Sequence, residues 1–307
     1  MCVSRPVQDQ LQLLCSGRDR LRSVRLGRAC ACVVFASSSM FFAARATAAA
    51  GTLAAGDIFA DCEGCPEMVV IPAGEFAMGA DRSELGSAAD ERPPHRVRIA
   101  KSFAVGRFAV TFAQWDACVA EGGCNGYGPP DEGWGRDLRP VINVSWYDAK
   151  SYISWLSQKA GVTYRLLSEA EREHVSRAGT LTPFWWGATI SVEDANYSGA
   201  GHGGAASEQS QRKTLPVDQL RPNPWGLYHV HGNVYDWTED CFNESYVGAP
   251  SDGSAWLSGD CDRRVHRGGS WYSDPAWLRS ASRNRNLSIT RFNFVGFRVA
   301  RTLAVER

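Results

Sequence analysis

The chain has 307 residues, with 33 basic and 33 acidic side chains and a formal net charge of zero. Residues 1–50 hold seven of the basic residues and two of the acidic ones, so the remainder carries 26 basic and 31 acidic residues. This acidic balance excludes a nucleic-acid-binding protein, which would show a basic excess. The length that remains after residue 50 is enough for one large domain with a substantial core.

Residues 1–50 have the pattern of a secretory signal peptide. Arginines scattered between Arg18 and Arg28 lead into the apolar run ACACVVFASSSMFFAA, and small residues follow. That run is shorter than the roughly 20 apolar residues that a membrane-spanning helix needs. We expect cleavage near residues 48–50, export to the periplasm or the exterior, and no stable membrane anchor. An uncleaved N-terminal anchor is the alternative. Residues 51–307 are expected to form the single domain.

The cysteines beyond the leader are even in number, which in an exported chain predicts disulfides. Their spacing favours three local pairs. The segment CEGC also fits a redox or zinc motif, but no second Cys pair or His pair with zinc spacing follows it. The expected pairs are Cys62 with Cys65, Cys118 with Cys124, and Cys241 with Cys261.

The first predicted elements are short strands. The segment MVVIPAGEFAMG is apolar and is interrupted by Pro72 and Gly74, which suggests a hairpin. The segment HRVRIAKSFAVGRFAVT alternates in part and suggests another hairpin. TFAQWDACVA, which follows it, is helical in composition.

Two further helices carry clear start and stop signals. Ser145 caps one of them, Gly161 ends it, and its apolar residues share one face. The segment SEAE at 168–171 is a capping box for the next, which Gly179 can end. Periodicity is weak over 180–219, and strands return at RVHRGGSW and FNFVGFRVAR. Eleven tryptophans and 30 glycines suggest loops packed around aromatic rings. We therefore expect an α+β fold with little regular secondary structure.

Six stretches, in order, resemble the formylglycine-generating enzyme family, also called the sulfatase-modifying-factor family. They are CPEMVVIPAGEFAMG, PVINVSWYDAKSYISWLS, YRLLSEAEREHVSRAG, NPWGLYHVHGNVYDWTED, RVHRGGSW and GFRVAR, and they cover about residues 60–303. The resemblance implies a compact domain, expected to be monomeric, that is related to the C-type lectin fold and binds calcium.

Family members include copper-dependent formylglycine-generating enzymes, ergothioneine sulfoxide synthases with histidine-bound iron, periplasmic proteins needed for oxidation of the pyoverdine chromophore, and ligand-binding modules. In the copper enzymes the first catalytic cysteine falls at the position of Ser273 here, and the second at Leu278. Copper(I) selects thiolates, and neither serine nor leucine replaces them. Cysteine-dependent formylglycine generation is therefore not expected.

Other chemistry at these positions stays open. Ser273 is the candidate catalytic residue, with His266 as the only histidine of its segment; the alternative is a serine that merely lines the vacated pocket. The two histidines of HVH, His229 and His231, with Asp236 nearby, could hold iron. The sequence does not identify any redox metal.

The resemblance also implies calcium positions. One set corresponds to His229, Gly232, Val234 and Asp236, with histidine in place of the family's asparagine. The other includes Asn196 and the carbonyl of Tyr197; its acidic partner should fall near Gln209, which carries no charge, although Glu208 is adjacent. In both places the alternative is that polar residues only satisfy tight turns.

Tryptophans and arginines around the GGS segment suggest a ligand pocket. Trp271 and Trp277, with Arg267, Arg279 and Arg283, could bind a small-molecule, peptide or carbohydrate ligand through stacking and bidentate contacts. Equally, the arginines could be internal hydrogen-bond hubs. Two functions follow: an exported oxidoreductase-like protein that works without the cysteine pair, as in pyoverdine maturation, or a non-catalytic peptide- or carbohydrate-binding module.

Overall fold

The computed structural model describes residues 53–303, which form an α+β fold with short elements and long connections. The leader predicted at residues 1–50 lies outside the described residues. No helix within residues 53–303 is long and apolar enough to cross a membrane. The helices are α1 (Phe112–Ala120), α2 (Trp146–Ala160) and α3 (Glu169–Arg177), and the strands are β1 (Ile58–Phe59), β2 (Met68–Ile71), β3 (Gly74–Met78), β4 (His95–Ile99), β5 (Phe103–Gly106), β6 (Tyr164–Leu166), β7 (Tyr235–Phe242), β8 (Asp260–Arg267), β9 (Arg283–Leu287), β10 (Val295–Phe297) and β11 (Val299–Thr302).

The strands form three sheets. The first has the order β1-β2-β5-β11-β6 with antiparallel neighbours, and the second has the order β10-β7-β8-β9, in which only β10 runs parallel to its neighbour. Strands β3 and β4 pair with each other. In the second sheet Asp236 lies opposite Arg267, which in turn lies opposite Arg283. This register brings residues far apart in sequence to one place.

Both predicted hairpins are wrong, although the strands themselves exist. Strand β2 pairs with β1 and β5, whereas β3 pairs with β4, so each predicted hairpin is divided between two sheets. The burial pattern gives the reason. Every residue of β2 and β5 is buried, as suits strands inside a covered sheet, while β3 alternates between half-buried and exposed side chains up to the buried Met78.

The three predicted helices are confirmed. Ser145 and Ser168 each accept a hydrogen bond from the backbone N–H three residues on, as capping boxes require. Gly161 ends α2 in the left-handed conformation. Helix α3 ends slightly earlier than expected, because Ala178 takes the left-handed C-cap position immediately before Gly179. Between α3 and β7 the structure has no helix or strand, which agrees with the weak periodicity there.

The three predicted disulfides are present: Cys62–Cys65, Cys118–Cys124 and Cys241–Cys261. The second links the C-terminal part of α1 to the turn that follows it. The third joins β7 to β8. Each closes a short loop, so together they brace the connections rather than join distant parts of the chain.

Helix α3 is unusual because all nine of its residues are buried, although six of them are charged or histidine. Glu169 forms a bidentate pair with Arg283, at 2.6 and 2.8 Å. Glu173 pairs with Arg177 at 2.7 Å and with Arg267. Burial alone would raise the pKa of Glu169, but Arg283 and Arg267 outweigh it and hold that pKa below its ordinary value. The helix therefore packs into the second sheet through ion pairs.

We predict that Arg283→Ala lowers the free energy of unfolding by about 3–5 kcal/mol, because it leaves the buried Glu169 carboxylate without its main partner. Arg96→Ala is the matched control. It removes an exposed pair with Glu75 and should cost less than about 1 kcal/mol. Urea denaturation of both variants measures the difference. Equal losses would contradict the importance assigned to the buried pairs.

Candidate functional site

The GGS segment and its neighbours form an open cleft of about 760 Å³. Aromatic rings supply much of its wall, hydroxyl groups line its floor, and Arg212 and Asp274 place one charge of each sign in the lining. The size and the mixture of apolar and polar groups suit a small organic ligand. The lining residues are Ser198, Ser210, Arg212, Tyr235, Ser270, Trp271, Tyr272, Ser273, Asp274, Trp277, Asn284 and Phe294.

Ser273 lies in this cleft, and its hydroxyl contacts only neutral groups. Its Oγ accepts a hydrogen bond from the Ser270 backbone N–H at 3.1 Å, lies 3.0 Å from Ser270 Oγ, and donates to Tyr235 Oη at 3.3 Å. The neighbouring Asp274 carboxylate instead accepts from Ser198 Oγ at 3.0 Å. Ser273 thus has the contacts of a serine that lines a pocket, and a catalytic role for it stays a prediction.

His266 does not reach Ser273. Its Nε2 lies 2.8 Å from the side-chain nitrogen of Asn286, and its ring packs edge-on against Tyr235 with the ring centres 4.5 Å apart. The ring is fully buried, which lowers its pKa to about 3. His266 is therefore a neutral side chain behind the cleft wall, where it supports Tyr235.

Leu278, at the second cysteine position, faces the core. It is fully buried in an apolar cluster with Phe184, Ile190 and Tyr197. Gly269 permits this packing, because a Cβ there would lie 2.6 Å from Leu278 Cγ. The two positions that hold thiols in the copper enzymes therefore have separate surroundings here, one in the cleft and one in the core.

Tyr235 is a cleft residue that we did not single out from the sequence. Its hydroxyl accepts hydrogen bonds from Ser273 at 3.3 Å and from Asn284 at 3.4 Å. Burial raises its pKa, so the phenol keeps its proton at neutral pH. A signal was present in the sequence: Tyr235 precedes Asp236 on a strand, so the two side chains point to opposite faces.

The two tryptophans and the three arginines of the predicted pocket lie in different places. Trp271 and Trp277 line the cleft. Arg267 and Arg283 are buried against Glu173 and Glu169, and Arg279 pairs with Glu91 at 3.0 Å. None of the three arginines lines the cleft, because each guanidinium is taken up by internal carboxylates. Of the two roles considered for them, their contacts are those of internal hydrogen-bond hubs.

The histidines considered for iron do not converge. His229 Nε2 lies 3.2 Å from the Pro216 carbonyl, whereas His231 Nδ1 lies 2.6 Å from the Leu278 carbonyl. His229 has a left-handed backbone, so HVH is not the regular strand that would place both rings on one face. Within residues 53–303 no group of three His, Cys, Asp or Glu side chains could hold a metal ion.

At the first calcium set, arginines occupy one carboxylate oxygen of Asp236, whereas Asp236 Oδ1 and His229 Nδ1 are buried without a hydrogen-bond partner in the described part of the chain, and calcium there stays a prediction. The Asp236 carboxylate is bound by Arg172 at 2.8 Å and by Arg298 at 3.5 Å, and both cations are buried with it. Gly232 and Val234 follow His229 in the same buried loop. Calcium would have to share one carboxylate with two fixed positive charges.

At the second calcium set, Asn196 is engaged by protein groups. Its side-chain amide donates to the Lys213 carbonyl at 2.9 Å and to Asn233 Oδ1 at 3.1 Å. The Tyr197 hydroxyl is buried without a hydrogen-bond partner, and the Glu208 carboxylate accepts from the Val192 N–H at 2.7 Å. These contacts stabilise the turn, and calcium there stays a prediction.

Together the fold and the cleft define an α+β domain of low regular structure, with a ligand-sized cleft in a tryptophan-rich loop region. The family model for the sulfatase-modifying factor enzyme 1-like domain matches residues 54–303. The chain belongs to this family, as the six sequence motifs predicted.

Relatives in the family differ in activity. The chain is 28% identical to a formylglycine-generating enzyme of Streptomyces coelicolor, over 76% of this chain and 88% of that one. It is 30% identical to hercynine oxygenase of Mycolicibacterium smegmatis, over 76% of this chain and 60% of that one. PvdO from Pseudomonas aeruginosa is 39% identical, with a TM-score of 0.70, and the match covers 82% of this chain and all of PvdO. Variable protein 1 of Treponema denticola, at 23% identity and a TM-score of 0.62, shares the fold.

We predict that acid destabilises the protein below pH 6.5. Burial lowers the pKa of His229 to about 4 and those of His231 and His266 to about 3, so the unfolded chain binds more protons as the pH falls. Asp240 acts in the opposite direction, because burial and Glu169 raise its pKa to about 7.

Between pH 6.5 and pH 5, the three histidines together lower the free energy of unfolding by more than Asp240 raises it. The free energy of unfolding should therefore fall by about 3 kcal/mol from pH 6.5 to pH 5. Urea titrations at these two pH values measure the change. A free energy that stays constant or rises over this interval would show that the histidines are not held neutral in the fold.

Proposed function

We propose that the protein is an exported, oxidoreductase-like member of the family that acts on an aromatic, oxygen-bearing small molecule in the Ser273 cleft. It would work without a copper–cysteine pair, in a role similar to that of the periplasmic pyoverdine-maturation members. The observation that carries the proposal is the cleft itself, where aromatic walls surround a protonated phenol that is hydrogen-bonded to Ser273, at the position of the first cysteine. The similarity to PvdO and to hercynine oxygenase supports the oxidoreductase class.

Export is supported by two independent features. The leader pattern of residues 1–50 is that of a secretory signal. The six cysteines beyond it form three disulfides, which persist in oxidising compartments and are rare in the cytosol. The periplasm or the exterior is therefore the proposed location.

Tyr235 defines what the ligand must offer. Its oxygen already accepts hydrogen bonds from Ser273 and Asn284, so its own proton is free to be donated. The natural partner is an acceptor oxygen, such as a phenolate or a ring carbonyl, on a ligand held between the aromatic walls. Trp271 and Phe294 line the same cleft and can stack on a flat ring. Ser273 would position Tyr235 and need not react.

Metal content is the first test. Elemental analysis of the protein, purified without chelator, should find iron or copper in stoichiometric amount if the oxidation uses a redox metal. Calcium alone, or no metal, would favour the binding module over the oxidoreductase.

Tyr235→Phe tests the cleft directly, with 4-methylcatechol as the probe and an oxygen electrode as the detector. We expect the wild-type protein to accelerate oxygen uptake, and Tyr235→Phe to reduce that acceleration at least about tenfold, because it removes the phenolic proton proposed to bind the ligand oxygen. Tyr147→Phe is the control, since Tyr147 is exposed on α2 and lies outside the cleft lining. Equal rates in both variants would exclude the Tyr235 role.

One observation favours the alternative, a non-catalytic module for carbohydrates or peptides. Tyr272 and Trp277 are both exposed at the cleft, at 69% and 44%, and exposed rings of this kind stack on sugars. Calorimetric titration with N-acetylglucosamine distinguishes the two roles. Binding that Trp277→Ala abolishes, with no oxygen uptake by the wild-type protein, would establish the module and reject the oxidoreductase.

A further inference from the structure

The Asp236 carboxylate lies at the centre of a buried cation-binding arrangement. It is 1% exposed, and its Oδ2 receives Arg172 Nε at 2.8 Å and Arg298 Nε at 3.5 Å. Both guanidiniums are themselves fully buried. A carboxylate withdrawn from water to this degree requires positive charge beside it.

Backbone carbonyls of the same loop complete the surroundings of the two cations. The Val230 carbonyl accepts from Arg172 Nη2 at 2.9 Å, and the Tyr228 carbonyl accepts from Arg298 Nη2 at 2.7 Å. One carboxylate and several carbonyl oxygens are the hard ligands that a calcium ion takes. Here they are used by guanidinium groups instead.

Gly268, the first glycine of the RGGS motif, shows that the chain is shaped around one of these cations. A Cβ at this position would lie 2.4 Å from Arg172 Nη2 and 3.0 Å from the Val230 carbonyl oxygen. Gly268 also has a φ of +98°, which disfavours other residues. The backbone therefore passes against the guanidinium at a distance that only glycine permits.

We infer that Arg172 is a resident cation that takes the place of a structural metal ion at Asp236. One carboxylate faces two guanidiniums, so the site already carries net positive charge, and a divalent ion would be repelled. This part of the fold is then held by the chain's own side chains and needs no calcium. The inference does not depend on the proposed function, because it concerns stability alone.

Thermal unfolding tests the replacement. The reference is the wild-type midpoint in EDTA, because calcium bound at Asn196 would raise it without occupying Asp236. Arg172→Ala should lower it by about 10 °C, since it leaves Asp236 with only the more distant arginine. Methylguanidinium at 10 mM should restore a few degrees to Arg172→Ala by refilling the vacated position. It should restore nothing to Arg165→Ala, which loses a half-exposed pair with Glu171.

If Arg172→Ala does not fold, Arg172→Lys replaces it. Lysine keeps the charge but cannot reach Asp236 and the Val230 carbonyl together, so the midpoint of Arg172→Lys should lie below that of the wild-type protein, and calcium should raise the two midpoints by the same amount. A calcium-dependent rise that is larger for Arg172→Lys than for the wild-type protein would overturn the inference.

The position of any bound calcium is tested in crystals grown with terbium, whose anomalous scattering marks calcium sites. The inference requires guanidinium density and no terbium at Asp236. A peak at Asn196 alone agrees with it, because that position is separate. A terbium peak bonded to the Asp236 carboxylate, beside an ordered Arg172, would disprove the replacement.

Discussion

The buried pairing between α3 and its arginines is the constraint on which the rest of the structure depends. Taking a carboxylate or a guanidinium out of water costs several kcal/mol, so each of these groups requires its partner in place. Glu169 and Glu173 receive Arg283 and Arg267 from two strands of the second sheet, and Arg172 reaches Asp236 on a third. The helix can be buried only when these three strands are in register. Ionic pairing therefore enforces the strand alignment that apolar packing alone would leave less specific.

The same pairing positions the cleft. Arg267 donates to the carbonyls of Ser280, Ala281 and Ser282, which fixes the segment leading into β9. Asn284 follows directly and donates to Tyr235 in the cleft. Arg267 and Arg283 thus act behind the ligand wall. A cleft supported by buried, ion-paired neighbours loses little freedom when a ligand binds, which favours affinity.

How much the sequence could predict depended on the range of each interaction. Helix caps such as Ser145 and Ser168 act within three residues and were predicted correctly, as were the three local disulfides. The predicted hairpins were wrong because β2 pairs with β5 and β3 with β4, each across a connection longer than the tight turn of a hairpin. The arginines were placed near a ligand because their carboxylate partners lie far away in sequence, on α3 for Arg267 and Arg283 and at Glu91 for Arg279, and no local pattern shows that pairing. The sequence did not predict Tyr235 as a cleft residue, because the metal-ligand pattern of its segment involves Asp236, its neighbour on the opposite face.

The two vacated cysteine positions show how a conserved scaffold can change its chemistry with small alterations. A metal held by two thiolates requires both positions to face one cavity. Leu278 instead contributes to the apolar cluster behind the cleft, where a thiolate would be desolvated and costly. Ser273 remains in the cleft, and its hydroxyl serves a neighbour, Tyr235, as a hydrogen-bond donor. The polar groups at this end of the cleft are therefore hydroxyls, and the Tyr235 phenol is one of them. Hydroxyl groups can orient an oxygen-bearing ring but do not themselves transfer electrons, so the proposed oxidation would require a further group.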